Sequence, residues 1–154
     1  MKILVKGVSL LGEKPTDLFI EDGVIREIGK VTATGAQTIH ADGLVALPGL
    51  VDLHTHLREP GREDAETILT GSRAAAVGGF TAVLAMANTS PVTDTAENAE
   101  RVHELGRTAG LVDVHPVGAV TRGLQGEELA ELGLMHRSRA KVNVFSDDGK
   151  CVGG

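Results

Sequence analysis

The stretch VDLHTHLREPG, residues 51–61, decides how the rest of the chain is read. It opens as an apolar strand, then sets His54 and His56 two residues apart, with Arg58 following. Successive strand side chains point to opposite faces, so Asp52, His54 and His56 share one. Two imidazoles at a strand end can offer nitrogen ligands to one borderline metal such as Zn²⁺. They can equally cap a strand and bond to backbone, so the surrounding sequence has to decide.

Downstream, strand-like and helix-like segments alternate. GLVDLHTHL (49–57) reads as a strand. EDAETILTGSRAAAVGG (63–79) reads as a helix with acids in its first turn and Gly78-Gly79 as its stop. FTAVLAM (80–86) is a buried strand, and DTAENAERVHELGRTAG (94–110) a helix ending at Gly110. LVDVHPVGAV (111–120), GEELAELG (126–133) and KVNVFS (141–146) continue as strand, short helix and strand. Such alternation predicts an α/β fold with a parallel sheet and crossover helices. Four βα steps are half of an eightfold barrel, or most of a small doubly wound sheet. In a barrel, the strand side chains point inward and the strand ends form the mouth of the site.

Residues 1–48 have a different rhythm. KILVKGVSL (2–10), DLFIEDGVIREIG (17–29) and QTIHADGLVALPG (37–49) are short β-rich runs, with Asp22-Gly23 and Asp42-Gly43 as turn signals. They predict a small antiparallel β unit ahead of the main domain, which starts at residue 49.

Composition narrows the class. The chain has 154 residues, 42% of them hydrophobic, and a formal charge of −6. The acidic balance argues against a nucleic-acid or anionic-membrane binder, which needs a basic footprint. Aromatic residues make up 2%, so stacking on bases or sugars has little support. The lone Cys151 rules out an internal disulfide and suits a reducing cytoplasm. No secretory signal is expected from the N-terminal sequence, and no run approaches the ~18 apolar residues of a membrane helix.

PGLVDLHTHLREPG (48–61) resembles the first-strand motif of the amidohydrolase superfamily, specifically the dihydroorotases, with their D-x-H-x-H-x-R-E-P-G form. MANTSPVTD (86–94) is similar to that family's second-strand loop, with Ala87 in place of the usual Pro, a change expected to loosen the loop. VFSDDG (144–149) resembles its fourth-strand end. The resemblance spans essentially the whole chain. It implies the first half of a TIM-like (β/α)8 metal-dependent hydrolase barrel, and a chain truncated relative to the family.

By resemblance, one or two Zn²⁺ are held by His54, His56 and Asp148, with Asp147 the second choice. Hydantoinases and allantoinases bridge two metals with a carboxylated lysine at this place. Here Lys141 lies at the wrong end of the strand and Lys150 past the turn. The resemblance makes His56, Arg58 and Asn88 substrate-binding residues. A guanidinium suits the carboxylates of dihydroorotate and carbamoyl aspartate, which it can grip with two parallel hydrogen bonds. Two further histidines and the catalytic Asp, the general base, are expected beyond residue 154, so these residues alone should lack the full site. The implied activity is reversible hydrolysis of L-dihydroorotate to N-carbamoyl-L-aspartate in the cytoplasm. Homodimers or a complex with aspartate transcarbamoylase are the implied assemblies. The alternatives are another cyclic amidohydrolase, or a non-catalytic homologue that partners the transcarbamoylase. Among the other histidines, His103 is expected exposed on a charged helix face, and His115 near the mouth is a weaker candidate. His40 falls in the β unit and His136 in a loop.

Overall fold

The computed structural model describes residues 1–153. It divides into two compact units, Met1–Pro48 and the chain from Gly49 onward.

In the first unit, β1 (Lys2–Leu10) is the central strand. It pairs antiparallel with β2 (Pro15–Glu21), which pairs antiparallel with β3 (Val24–Gly29). Asp22 and Gly23 join them at φ 50° and 78°, the positive angles that a two-residue hairpin turn requires. The expected all-antiparallel arrangement is corrected on the other edge. There β4 (Gln37–His40) and β5 (Val45–Ala46) both run parallel to β1, so the sheet is mixed. Asp42-Gly43 is a turn, with the Leu44 amide donating to Ala41 O at 3.0 Å, but the chain continues in the same direction after it. An Asp-Gly pair supplies positive φ; the pairing of its flanks sets direction. Val8, Leu18 and Ala41 form the buried centre of this unit.

The second unit is built on three parallel strands in the order β6 (Leu50–Thr55), β7 (Phe80–Ala85), β8 (Asp113–Pro116). Helices α1 (Ile68–Val77) and α2 (Ala96–Ala109) are the crossovers. Leu57, Ile68, Val83, Ala85, Val102, Val112 and Val114 make its main core.

Helix α1 starts later than the acidic run suggests. Thr67 is the N-cap: its hydroxyl accepts from the Thr70 amide at 3.1 Å, and the Thr70 hydroxyl accepts from the Thr67 amide at 3.0 Å. The Glu59 carboxylate accepts from the Ile68 amide at 2.7 Å. With these donors satisfied, Glu63, Asp64 and Glu66 lie outside the helix, and its first turn holds no acid. Thr67→Ala should therefore cost about 1 kcal/mol in urea denaturation, and Thr67→Ser should recover most of it.

Two further expectations are corrected. Residues 126–131 are not helical; they fold back along 120–122, with the Arg122 amide donating to Glu128 O and Ala130 to Val120 O. A short α3 (Leu132–Arg137) follows, and it carries His136. Residues 141–146 form no regular fourth strand. Lys141 has φ 51°, and the Asn143 amide side chain closes a turn onto its carbonyl at 2.8 Å. Among the described residues it makes one isolated parallel bridge, Phe145 to Gly118, just past the end of β8. Glycine is needed there, since a Cβ on residue 118 would lie 2.7 Å from the Phe145 ring. No helix among the described residues is long and apolar enough to cross a membrane.

Candidate metal centre

The site lies where β6 ends. Alternation along that strand puts Asp52 and His54 on one face, and His56 follows just past Thr55. Asp52 accepts a hydrogen bond from the His54 amide at 2.9 Å, which fixes the strand end. The two rings lie edge to face, with Nε2 of His54 3.3 Å from Nε2 of His56. Asp148 completes the group, Oδ1 at 2.9 Å from His54 Nε2 and Oδ2 at 3.5 Å from His56 Nε2. Four tetrahedral ligands about 2.0–2.1 Å from one zinc ion stand roughly 3.3 Å from each other. The three side chains therefore present a donor set that fits a divalent cation. Among the described residues they are the group of His, Cys, Asp and Glu close enough to do so.

Asp148 reaches the histidines through an unusual backbone. Its φ is 43°, Gly149 follows at 80°, and its amide donates to the Ser146 hydroxyl at 3.0 Å. The preceding Asp147 is turned away and 4% exposed. Its Oδ1 accepts from the Val120 amide at 2.8 Å and the Thr121 amide at 3.1 Å, and its Oδ2 accepts from the Thr121 hydroxyl. Burial pushes the Asp147 carboxyl up, but the hydrogen bonds from Thr121 and Val120 outweigh it and hold the group below the ordinary carboxylate value. Asp148, rather than Asp147, thus meets the histidines, and Asp147 ties the 144–149 segment to the loop after β8.

Asn88 lies between two of these groups. Its Oδ1 is 3.0 Å from His56 Nδ1, and its Nδ2 donates to Asp148 Oδ2 at 2.6 Å. The loop that carries it is anchored at Ala87, which stands where the family usually has Pro. Ala87 is fully buried against Ala119 and Leu124, and its carbonyl accepts from Thr89 and Thr93. Arg58 is exposed, and among the described residues it pairs with no carboxylate. Its φ of 61° is held by the turn in which Arg62 donates to its carbonyl at 2.9 Å.

The other histidines stay apart from the cluster. His115, on β8, lines an open groove of about 570 Å³ beside α2. His103 is half-buried rather than exposed, and its Nδ1 is buried without a hydrogen-bond partner. His136 bonds through Nδ1 to the Val142 carbonyl at 3.1 Å. Three roles escaped the sequence reading: the Glu59 cap, the Asp147–Thr121 clamp and the Asn88 bridge. Only the first had a local signal, an acid shortly before a Thr-x-x-Thr box. The others join residues 26 and 60 positions apart.

A strand-end pair of imidazoles faces a carboxylate on a parallel sheet with crossover helices, the arrangement that the dihydroorotase-like motif implied. The family described as Dihydro-orotase-like matches residues 43–153, and the chain belongs to it. It is 60% identical over 152 residues to the dihydroorotase of Streptomyces coelicolor, covering 98% of this chain and 36% of that protein. It is 62% identical over 150 residues to the dihydroorotase of Leifsonia xyli, covering 97% of this chain and 34% of the relative. The chain thus spans about a third of the length of these relatives. Among solved structures it resembles L-hydantoinase from Arthrobacter aurescens, with a TM-score of 0.67 and 28% identity over 79% of this chain and 29% of that one. Dihydropyrimidinase from Brevibacillus agri is similar at a TM-score of 0.65 and 30% identity, covering 79% of this chain and 28% of that one.

Proposed function

We propose that residues 49 onward are the opening βα steps, the first half, of the (β/α)8 barrel of a zinc-dependent dihydroorotase. The observation that carries this reading is the meeting of His54, His56 and Asp148 in a chain so similar to dihydroorotases. The reaction exchanges one water. The ring amide C–N bond of L-dihydroorotate breaks, the water oxygen joins the carbonyl carbon, and the nitrogen takes a proton to give N-carbamoyl-L-aspartate.

His54 and His56 supply neutral nitrogen donors and Asp148 a charged oxygen, a set that suits Zn²⁺ over the harder Mg²⁺ or Ca²⁺. When bound there, one or two zinc ions supply a Lewis acid for the amide carbonyl and lower the pKa of water toward neutrality. Arg58, exposed and unpaired, binds the substrate carboxylate and orients the ring over the site. Asn88 keeps a second amide hydrogen free for the same carboxylate. The protein works in the cytoplasm, as a homodimer or in complex with aspartate transcarbamoylase.

A hydantoinase-type activity is the second reading, supported by the resemblance to hydantoinase structures. It is disfavoured because Asp148 is the residue that faces both histidines, while Lys141 lines a separate groove with Glu100, His103 and Arg139 and Lys150 lies past the turn. Residues 1–154 alone are expected to turn over neither substrate. Zinc-loaded protein supplied with the other half of the barrel should open dihydroorotate, followed by absorbance, and leave hydantoin untouched; the reverse result would select the second reading. Failure of that completed protein to turn over either, with zinc retained, would point to a non-catalytic partner. Arg58→Met should raise KM for dihydroorotate about ten- to a hundredfold, the loss of a charge-assisted contact of ~1.5–3 kcal/mol, with zinc content unchanged. An unchanged KM with zinc lost would move Arg58 from substrate to metal site.

A further inference from the structure

We infer that Asn88 presets His56 as a ligand, holding its ring with the hydrogen on Nδ1 and the lone pair on Nε2. The inference rests on the metal reading above and adds a positioning residue to it.

The chemistry of the amide fixes its orientation. A carboxylate can only accept, so the group 2.6 Å from Asp148 Oδ2 has to be the Asn88 nitrogen. Its oxygen then faces His56 Nδ1 at 3.0 Å, and that nitrogen has to donate. A neutral imidazole carries one N–H, so His56 Nε2 is left with its lone pair. That lone pair points to the place shared by His54 Nε2 at 3.3 Å and Asp148 Oδ2 at 3.5 Å.

The two histidines are therefore not equivalent. His54 Nε2 lies 2.9 Å from Asp148 Oδ1, the geometry of an N–H donating to the carboxylate. That hydrogen would have to leave for His54 to ligate, whereas His56 needs no change. Nor is Asn88 free to swing. It follows the fully buried Ala87, whose carbonyl is bonded on both sides of the turn by Thr89 at 2.9 Å and Thr93 at 3.0 Å. One amide thus orients a ring and a carboxylate that come from segments 32 and 60 residues away. Partners of this kind typically change metal affinity ten- to a hundredfold when removed.

The test combines ring-nitrogen NMR of the metal-free full chain, at a pH where His56 is neutral, with zinc titration against a competing chelator. Wild-type His56 should be the Nδ1–H tautomer. Asn88→Leu should lose it and bind zinc about ten- to a hundredfold more weakly. An Nε2–H tautomer in the wild type, or an Asn88→Leu variant that retains both tautomer and zinc affinity, overturns the inference. The wild-type spectrum decides even if Asn88→Leu fails to fold. A wild type with the Nδ1–H tautomer but no zinc binding would instead overturn the metal reading on which the inference rests.

Discussion

His54→Ala and His56→Ala are each expected to weaken zinc binding by more than about a hundredfold. Four-ligand zinc sites bind with about 10–16 kcal/mol, so one ligand accounts for roughly 3 kcal/mol. Both imidazoles face the place a metal would take: each Nε2 lies 3.3 Å from the other, and 2.9 Å (His54) or 3.5 Å (His56) from the Asp148 carboxylate. Neither ring is needed to fill the core, His54 being 57% and His56 28% exposed, so the loss should appear in metal content and not in folding. Dialysed variants analysed for zinc settle it. Unchanged content in both would remove these residues from the ligand set.

Asp147→Ala should have the other large effect, and on stability. It strips the partners from the Val120 and Thr121 amides and from the Thr121 hydroxyl, in a place almost closed to water. Hydrogen bonds to a charged group contribute about 1.5–3 kcal/mol, and orphaned buried donors add a cost of their own. A loss of about 3 kcal/mol or more is expected in urea denaturation. Asp147→Asn should lose less, since its carboxamide oxygen still accepts and the Thr121 hydroxyl can turn to accept from the new NH₂. Alanine and wild type of equal stability would show that the clamp contributes nothing.

Local patterns made some of this readable and long-range contacts hid the rest. Period-two alternation was enough to put His54 and His56 together, and Gly110 at φ 62° ends α2 where a glycine stop was expected. The Asp22-Gly23 hairpin was equally plain, because both its partners are adjacent in sequence. The partner of residues 37–46 is β1, more than thirty positions away, so the parallel edge could not be seen. Over 126–131 the residues favour a helix, but backbone groups of 120–122 capture theirs first. The tandem Asp147-Asp148 shows the same limit at the site. Neighbouring side chains diverge, yet which one turns toward the histidines depends on Val120 and Thr121, which pull Asp147 inward.

Diffraction from the zinc-soaked full chain at the zinc absorption edge tests the metal assignment most directly. An anomalous peak about 2.0–2.2 Å from His54 Nε2, His56 Nε2 and an Asp148 oxygen is the expected result. A zinc ion bound elsewhere, or no peak between these three side chains at saturating zinc, would contradict it.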